Sequence, residues 1–218
     1  MAAWGVDRGR LGIVPVTVDG ETFRRVRSPR ARGGPVMLTV ARLETGERSK
    51  GVDLVIAEMP ALRARFPGLR YMIGGTGDDI PRLMALAQRL GVAEAVDFIG
   101  AISEQELPER FSAADVFVMP SRKEGFGIVF IESLACGTPV IACGLEGSRD
   151  ALLDGRLGLL IDPEQDGALR TAIKQVLSRT CPAPLLDATR LRKEALAAFG
   201  IDAFRRSLLD ALETEPVG

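Results

Sequence analysis

The sequence contains no histidine, and this absence excludes several classes of enzyme. Without histidine the chain cannot supply a Ser–His or Cys–His nucleophile system from its own residues. A zinc site also loses one of its commonest ligands. We therefore expect no histidine-based catalysis and no metal site in this chain.

Cysteine is scarce as well, with only Cys136, Cys143 and Cys181 present. An odd number of widely spaced cysteines is typical of free thiols in a reducing compartment, so we expect a cytoplasmic protein. Cys136 and Cys143 lie in apolar stretches, which favours core packing over a redox or metal-binding function.

Long apolar runs and a surplus of positive charge are missing too. No run approaches the ~18 residues of a membrane-spanning helix, and the N-terminus shows no signal-peptide core. The formal net charge is −1, so we expect no nucleic-acid partner. With 218 residues, 46% of them hydrophobic, the chain suits one α/β domain with or without a tail.

The first 35 residues are predicted to be an irregular connector, because glycines interrupt any periodicity. Five arginines fall between Arg24 and Arg32. They indicate either a solvated linker or a contact with an anionic surface or partner.

Residues 36–180 alternate between apolar runs of strand length and segments with helical periodicity. Strands are predicted at residues 35–40, 69–73, 95–100, 116–119, 139–142 and 158–161. Helices are predicted at residues 51–65, 79–90, 103–113, 127–136 and 166–178. This alternation predicts an α/β fold with a doubly wound, Rossmann-like parallel sheet and helices on both faces. Residues 181–218 are predicted to form a helical tail that is interrupted at Gly200.

In such a sheet, ligands bind beyond the carboxyl ends of the strands. After the first strand, Arg42 and Lys50 either hold an anion together with the amides of the next helix or are solvated loop charges. After the second strand, residues 74–77 (GGTG) lack the full GxGxxG pattern, which favours a tight turn over a phosphate-binding loop.

The segment after the fourth strand carries the most information. Gly125 and Gly127 would let a ligand approach the backbone, and the helix that follows presents free amides. Glu124 lies at the mouth of this loop, and Glu132 lies about one and a half turns into the helix. Carboxylates accept hydrogen bonds from vicinal hydroxyl groups, so the segment predicts a nucleotide-sugar site. The simpler alternative is a helix start with an ordinary acid, but a half-buried Glu132 would need partners.

Together these motifs resemble the C-terminal, donor-binding domain of retaining glycosyltransferases with the GT-B fold, the glycosyl transferases group 1 family. The motifs that carry the resemblance are VARL at 40–43 with KG at 50–51, GGTG at 74–77, FIG at 98–100, ADVFVMPS at 114–121, E-x7-E at 124–132 and CGTPVI at 136–141. At residues 147–150 the chain has GSRD, where many members have Gly-Gly-x-x-Glu.

The resemblance implies a function for each matched residue. Arg42 and Lys50 would hold the diphosphate, Glu124 would hydrogen-bond the transferred sugar and support the transition state, and Glu132 would bind the ribose. Main-chain amides that reach the sugar and phosphate would come from Gly125, Phe126, Gly127 and Ile128. The base would be contacted, mainly through backbone atoms, by Ile102 and Ser103.

The resemblance also implies the chemistry of the whole enzyme. It implies transfer of a hexose from a UDP or GDP sugar with retention at the anomeric carbon, with neither a metal nor a cofactor. Residues 12–20 together with Phe23 resemble the connector between the two domains of such enzymes. We therefore expect that an N-terminal acceptor domain is absent, that either a second polypeptide supplies it or the N-terminal half has been lost, and that the whole enzyme contacts membranes peripherally.

Two other interpretations stay open. The chain could be a nucleotide-sugar-binding or regulatory subunit without transferase activity, or a non-functional gene fragment. The joint presence of Arg42, Lys50, Glu124 and Glu132 favours the enzyme. The apolar stripes of the tail either pack on the sheet of this domain or remain exposed for a partner.

Overall fold

The computed structural model describes residues 14–26 and 33–213. Its strands are β1 (Val36–Val40), β2 (Arg70–Gly74), β3 (Val96–Gly100), β4 (Val116–Met119), β5 (Val140–Cys143) and β6 (Leu159–Ile161). They form one six-stranded sheet in the order β3-β2-β1-β4-β5-β6, and every neighbouring pair is parallel. This is the doubly wound order of a Rossmann-like fold, so the predicted fold class is confirmed.

The helices are α1 (Val52–Arg65), α2 (Ile80–Arg89), α3 (Leu107–Ala113), α4 (Ile128–Ala135), α5 (Glu146–Ala151), α6 (Ala168–Leu177), α7 (Ala188–Phe199) and α8 (Ile201–Glu213). Short 3-10 helices lie at Thr45–Lys50, Ala93–Ala95 and Ala183–Leu186. The sequence did not predict α5 or the 3-10 helix at Thr45–Lys50. Both are six-residue segments, too short to show a helical period.

The sheet separates two hydrophobic cores, because successive side chains of a strand point to opposite faces. Met37 and Tyr71 face the core formed with α1, α2 and α6. Leu38 and Phe117 face the core formed with α3, α4 and α7. Each of these side chains is at most 1% exposed, and burial of one such side chain stabilises the fold by roughly 1.5–3 kcal/mol.

The switch point of the sheet lies between β1 and β4. From β1 the chain crosses through α1 to β2, on one side, and from β4 it crosses through α4 to β5, on the other side. The loops that leave β1 and β4 therefore diverge and leave a crevice between them. The candidate residues of both loops lie at this crevice.

The connector and the tail pack against each other on the second face. Val18 N donates to Phe199 O at 2.8 Å, and Val18 forms an isolated β-bridge with Gly200. The guanidinium of Arg192 donates to the carbonyl oxygens of Gly20, Phe23 and Ala135 at 2.6–2.7 Å. Arg192 thus joins the connector to the last turn of α4.

The predicted interruption of the tail at Gly200 is confirmed, and the two tail helices differ in burial. Leu191 of α7 is fully buried, whereas Leu209 and Leu212 of α8 are 49% and 72% exposed. The apolar stripe of α7 therefore packs within this domain, whereas that of α8 remains partly exposed, and a partner for α8 stays a prediction. Among residues 14–26 and 33–213, no helix is long and apolar enough to cross a membrane.

Some of the expectations concern residues outside the described ranges. Residues 12 and 13 of the connector and Arg27, Arg30 and Arg32 of the basic segment are among them. Arg24 and Arg25 are described and exposed. The division of the chain at residues 35 and 180 stays a prediction.

Candidate functional site

The loop after β1 packs directly against the glycine-rich turn after β2. Gly75 has φ +133°, and a Cβ there would lie 1.9 Å from Ala41 O. Leu43 N donates to Thr76 O at 2.9 Å, and Asp79 N donates to Leu43 O at 2.8 Å. The glycines at residues 74–77 thus serve close backbone packing, which supports the tight-turn interpretation of this motif.

The loops after β1 and β4 meet at Gly51. This residue has φ +74°, and a Cβ there would lie 2.7 Å from Pro120 O. Arg122 N also donates to Ser49 O at 2.7 Å, which joins the loops a second time. As a result Lys50 Nζ donates to Glu124 Oε2 at 2.9 Å.

The Lys50–Glu124 ion pair is well shielded from solvent, with the two side chains 16% and 13% exposed. It brings together a residue predicted to bind phosphate and the residue predicted to bind the transferred sugar. The two residues are 74 positions apart in the sequence, and their contact is produced by the adjacency of β1 and β4.

Glu47 is a functional candidate that the sequence analysis did not identify. Arg42 Nη2 lies 2.7 Å from Glu47 Oε1, and Lys50 Nζ lies 4.0 Å from Glu47 Oε2. Glu47 therefore contacts both cations that were predicted to hold the diphosphate. Its position three residues before Lys50 gave no usable signal, because the sequence predicts no helix there and Glu47 itself has non-helical dihedral angles.

The two glycines before α4 serve different purposes. Gly127 has φ +89°, and a Cβ there would lie 2.3 Å from the ring of Phe130, so the fold itself requires this glycine. Gly125 is outside the left-handed region, and no atom of the described residues lies within 4 Å of the position of its missing Cβ. Glycine at 125 is therefore not required by the packing, and its open face is available to a ligand.

The rest of the loop is held from two sides. The ring of Phe126 packs edge-on against Phe199, with centroids 5.5 Å apart. A Cβ on Gly147 would lie 2.5 Å from Glu124 O, so the start of α5 contacts this loop closely. Ile128, the first residue of α4, is 49% exposed, and no side chain caps the amides of this helix.

Glu132 lies in the second turn of α4 and is half-buried. Burial, and to a smaller extent the charge of Glu104, raise the pKa of Glu132 to about 7. Among the described residues its carboxylate has neither a hydrogen-bond nor an ion-pair partner in the protein. A half-buried acid without protein partners is suited to hydroxyl groups of a ligand.

The predicted base-binding strip follows β3 and is next to Glu104 in the sequence. The negative charge of Glu104 contributes to the raised pKa of Glu132, so the strip lies on the Glu132 side of the crevice. A Cβ on Gly74 would lie 2.2 Å from Ile102 Cδ1, which places Ile102 over the end of β2. The amide and hydroxyl of Ser103 both donate to Glu106 Oε2, at 3.0 and 2.7 Å.

The helix predicted over residues 103–113 starts later in the structure. α3 begins at Leu107 with Glu106 as its N-cap residue. Ser103 lies in the preceding turn, and its polar groups are engaged there. That it contacts a base stays a prediction.

A cavity of about 780 Å³ lies at the opposite edge of the sheet, before the strands begin. Its polar lining includes Arg25, Ser112, Asp115, Thr138 and Asp187. None of the predicted donor-binding residues lines it. The candidate site is an open crevice formed by loops, and in the part of the chain that the structure describes no group of three or more Cys, Asp or Glu could hold a metal ion.

The crevice combines groups that suit an anion with groups that suit hydroxyl groups. Cations and uncapped amides suit an anion, and two half-buried acids suit hydroxyl groups. The family model described as "Glycosyl transferases group 1" matches residues 21–195. The chain therefore belongs to the group 1 glycosyltransferases, and the sheet is one half of a GT-B fold.

Individual relatives agree with this family. A GDP-mannose-dependent alpha-(1-6)-phosphatidylinositol monomannoside mannosyltransferase of Mycolicibacterium smegmatis is 36% identical, over 80% of this chain and 46% of its own length. A D-inositol 3-phosphate glycosyltransferase of Catenulispora acidiphila is 34% identical, over 95% of this chain and 53% of its own length. Sucrose-phosphate synthase from Thermosynechococcus elongatus is 29% identical, with a TM-score of 0.77, over 91% of this chain and 51% of the other.

The chain spans about half the length of the curated relatives it matches. The matches establish the family and the fold of this chain, but they do not establish the activity of a whole enzyme.

Proposed function

We propose that this chain is the donor-binding half of a retaining hexosyltransferase that uses a UDP or GDP sugar. The observation that carries the proposal is the Lys50–Glu124 contact at 2.9 Å, because it joins a phosphate-binding candidate to a sugar-binding candidate in one crevice. The GDP-mannose-dependent relative makes GDP-mannose the first donor to test.

Each acid has a separate function in this proposal. Glu124 accepts hydrogen bonds from the hydroxyl groups of the transferred sugar and positions it, without acting as a nucleophile. Glu132 binds the ribose, and the strip at Ile102 and Ser103 contacts the base. The main-chain amides of the loop at residues 125–128 contact the sugar and phosphate.

Stabilisation of charge in the transition state follows from the cations and the helix start. As the glycosidic bond breaks, negative charge develops on the leaving diphosphate. Arg42, Lys50 and the first amides of α4 stabilise that charge without a metal ion. The leaving phosphate oxygen then lies on the face from which the acceptor attacks, which gives retention.

The proposed enzyme needs an acceptor domain of the kind that the other half of the relatives supplies. We propose that a second polypeptide or a further segment provides it, in the cytoplasm, with peripheral membrane contact. The proposed enzyme uses no cofactor, and the nucleotide sugar is its substrate.

Calorimetry with the full chain at pH 8 tests donor binding. GDP-mannose, UDP-glucose and UDP-N-acetylglucosamine are compared with UDP and GDP. Glu124→Gln should weaken binding of the nucleotide sugar but not of the nucleoside diphosphate, whereas Glu132→Gln should weaken both. Glu109→Gln, an exposed acid on α3, is the matched control.

The absence of binding to every nucleotide sugar would refute the proposal. Equal weakening of nucleotide sugar and nucleoside diphosphate by Glu124→Gln would refute the function given to Glu124.

A chimera separates an enzyme from a binding subunit. This chain would replace the corresponding half of the Mycolicibacterium mannosyltransferase. Hexose transfer by the chimera supports the enzyme. A folded chimera that binds donor but transfers nothing supports the alternative of a nucleotide-sugar-binding or regulatory subunit.

A further inference from the structure

We propose that Glu47 is a positioning residue that competes with the donor's diphosphate for Arg42 and Lys50. This inference rests on the proposed function of the crevice. Glu47 contacts both cations, at 2.7 Å and 4.0 Å. A diphosphate that binds these cations therefore competes with Glu47, most directly for Arg42.

The surrounding loop fixes Glu47 in this position. Glu47 N donates to Glu44 O at 2.8 Å within the 3-10 helix Thr45–Lys50. Thr45 N donates to Asp78 Oδ1 at 2.7 Å, and Arg48 Nε donates to Asp79 Oδ1 at 3.1 Å. The loop is thus anchored on both sides of Glu47, and the carboxylate is held beside the cations.

The exposures of the three side chains indicate which contact is exchanged. Arg42 is 70% exposed, and its contact with Glu47 is an ion pair at the surface, which is weak in water. A phosphate group offers the Arg42 guanidinium a bidentate partner, which is stronger. Lys50 is only 16% exposed and is already held by Glu124, so Arg42 is the cation that changes its partner.

The exchange has a consequence for turnover. After transfer, the product is a nucleoside diphosphate with more negative charge than the donor, and Arg42 and Lys50 hold it in the crevice. Glu47 is the adjacent anion that takes Arg42 back and so promotes product release. Glu47 therefore acts through the cations and does not touch the reacting atoms.

Binding of UDP and GDP at pH 8 tests this inference with the full chain. Glu47→Gln keeps the size of the side chain and removes its charge. We expect it to raise the affinity for the nucleoside diphosphate about three- to tenfold while the affinity for the nucleoside alone stays unchanged. Glu44→Gln removes an equal charge from an exposed position of the same loop and should leave both affinities unchanged.

A double-mutant cycle distinguishes direct competition for Arg42 from a general change in the charge of the site. Arg42→Gln should weaken nucleoside diphosphate binding more in the Glu47→Gln background than in the natural chain, because Arg42 is then free of its competitor. Additive effects of the two substitutions would overturn the inference, as would weaker binding by Glu47→Gln or an equal gain from Glu44→Gln.

These outcomes are distinguishable from failure of the proposed function. Equal affinity of the natural chain and Glu47→Gln overturns only the competition. No binding of UDP or GDP by the natural chain or any variant overturns the proposed function and this inference with it.

Discussion

Donor affinity should depend on pH near neutrality because of one carboxyl group. Burial and the charge of Glu104 raise the pKa of Glu132 to about 7. The ribose hydroxyl groups donate hydrogen bonds, and an ionised carboxylate accepts such bonds better than a neutral carboxyl group. Binding of the donor therefore selects the ionised form of Glu132 and releases a proton below pH 7.

The size of the effect follows from this pKa. A group with a pKa of about 7 is about 90% ionised at pH 8 and about 10% ionised at pH 6. We therefore expect about a tenfold loss of affinity between pH 8 and pH 6. Calorimetry in buffers with different ionisation enthalpies measures both the affinity and the proton released.

The ligand must be a nucleotide sugar. Its diphosphate is esterified at both ends, so it lacks the phosphate proton that titrates at about pH 6 in a monoester. Glu132→Gln should abolish the pH dependence, and Glu104→Gln should move its midpoint to lower pH. An affinity that stays constant between pH 6 and pH 8, or a slope that persists in Glu132→Gln, would refute the reasoning.

The stability of the chain without donor should depend on pH in the opposite direction, falling as the pH rises. The pKa of Glu132 is raised in the folded chain, so between its ordinary value of 4.5 and about 7 the folded chain holds a proton that the unfolded chain has lost. The contribution of neutral Glu132 to stability is therefore fully present below 4.5 and is lost as the pH rises through 7. Urea denaturation across this range should show a falling midpoint that Glu132→Gln flattens.

Further substitutions test the geometry of the site and its supports. Gly127→Ala should destabilise the chain by about 2–3 kcal/mol, because residue 127 has a left-handed φ and its Cβ would meet the Phe130 ring. Gly125→Ala should change stability by less than about 0.5 kcal/mol. It should still weaken donor binding in calorimetry. Lys50→Met leaves a shielded carboxylate unpaired and should cost about 1–3 kcal/mol in urea denaturation; unchanged stability would contradict the shielding. Arg192→Ala removes hydrogen bonds to three carbonyl groups and should cost about 2–4 kcal/mol, and the exposed Lys193→Ala, as control, should cost almost nothing.

The fold was predictable from the sequence because its elements are marked locally. The six strands are apolar runs bounded by glycine, proline or polar residues, and the break at Gly200 is visible in the tail. Helix α5 was not predictable, because Gly147 and Ser148 are poor helix formers and its six residues show no period. Tertiary contact with the loop at residues 124–125 holds it in place.

The site was predictable as a set of residues but not as a set of contacts. Arg42, Lys50 and Glu124 were each identified from motif and position, yet no local pattern shows that Lys50 contacts Glu124 across 74 positions. Glu47 was missed because an acid in a polar loop is usually solvated. Its contact with two cations depends on how the loop folds between β1 and α1.

The two cations of the crevice are balanced by two of its acids. Arg42 and Lys50 contribute two positive charges, and Glu47 and Glu124 oppose them through the ion pairs at 2.7, 4.0 and 2.9 Å. Because these four charges cancel, they give little long-range attraction for phosphate, so inorganic phosphate gains little from them. A nucleotide sugar gains more, because its sugar hydroxyl groups engage Glu124 and its ribose engages Glu132 while the diphosphate replaces Glu47. The crevice therefore selects the whole donor over its anionic part, because only the whole donor engages Glu124 and Glu132 together. The adjacency of β1 and β4 makes this possible.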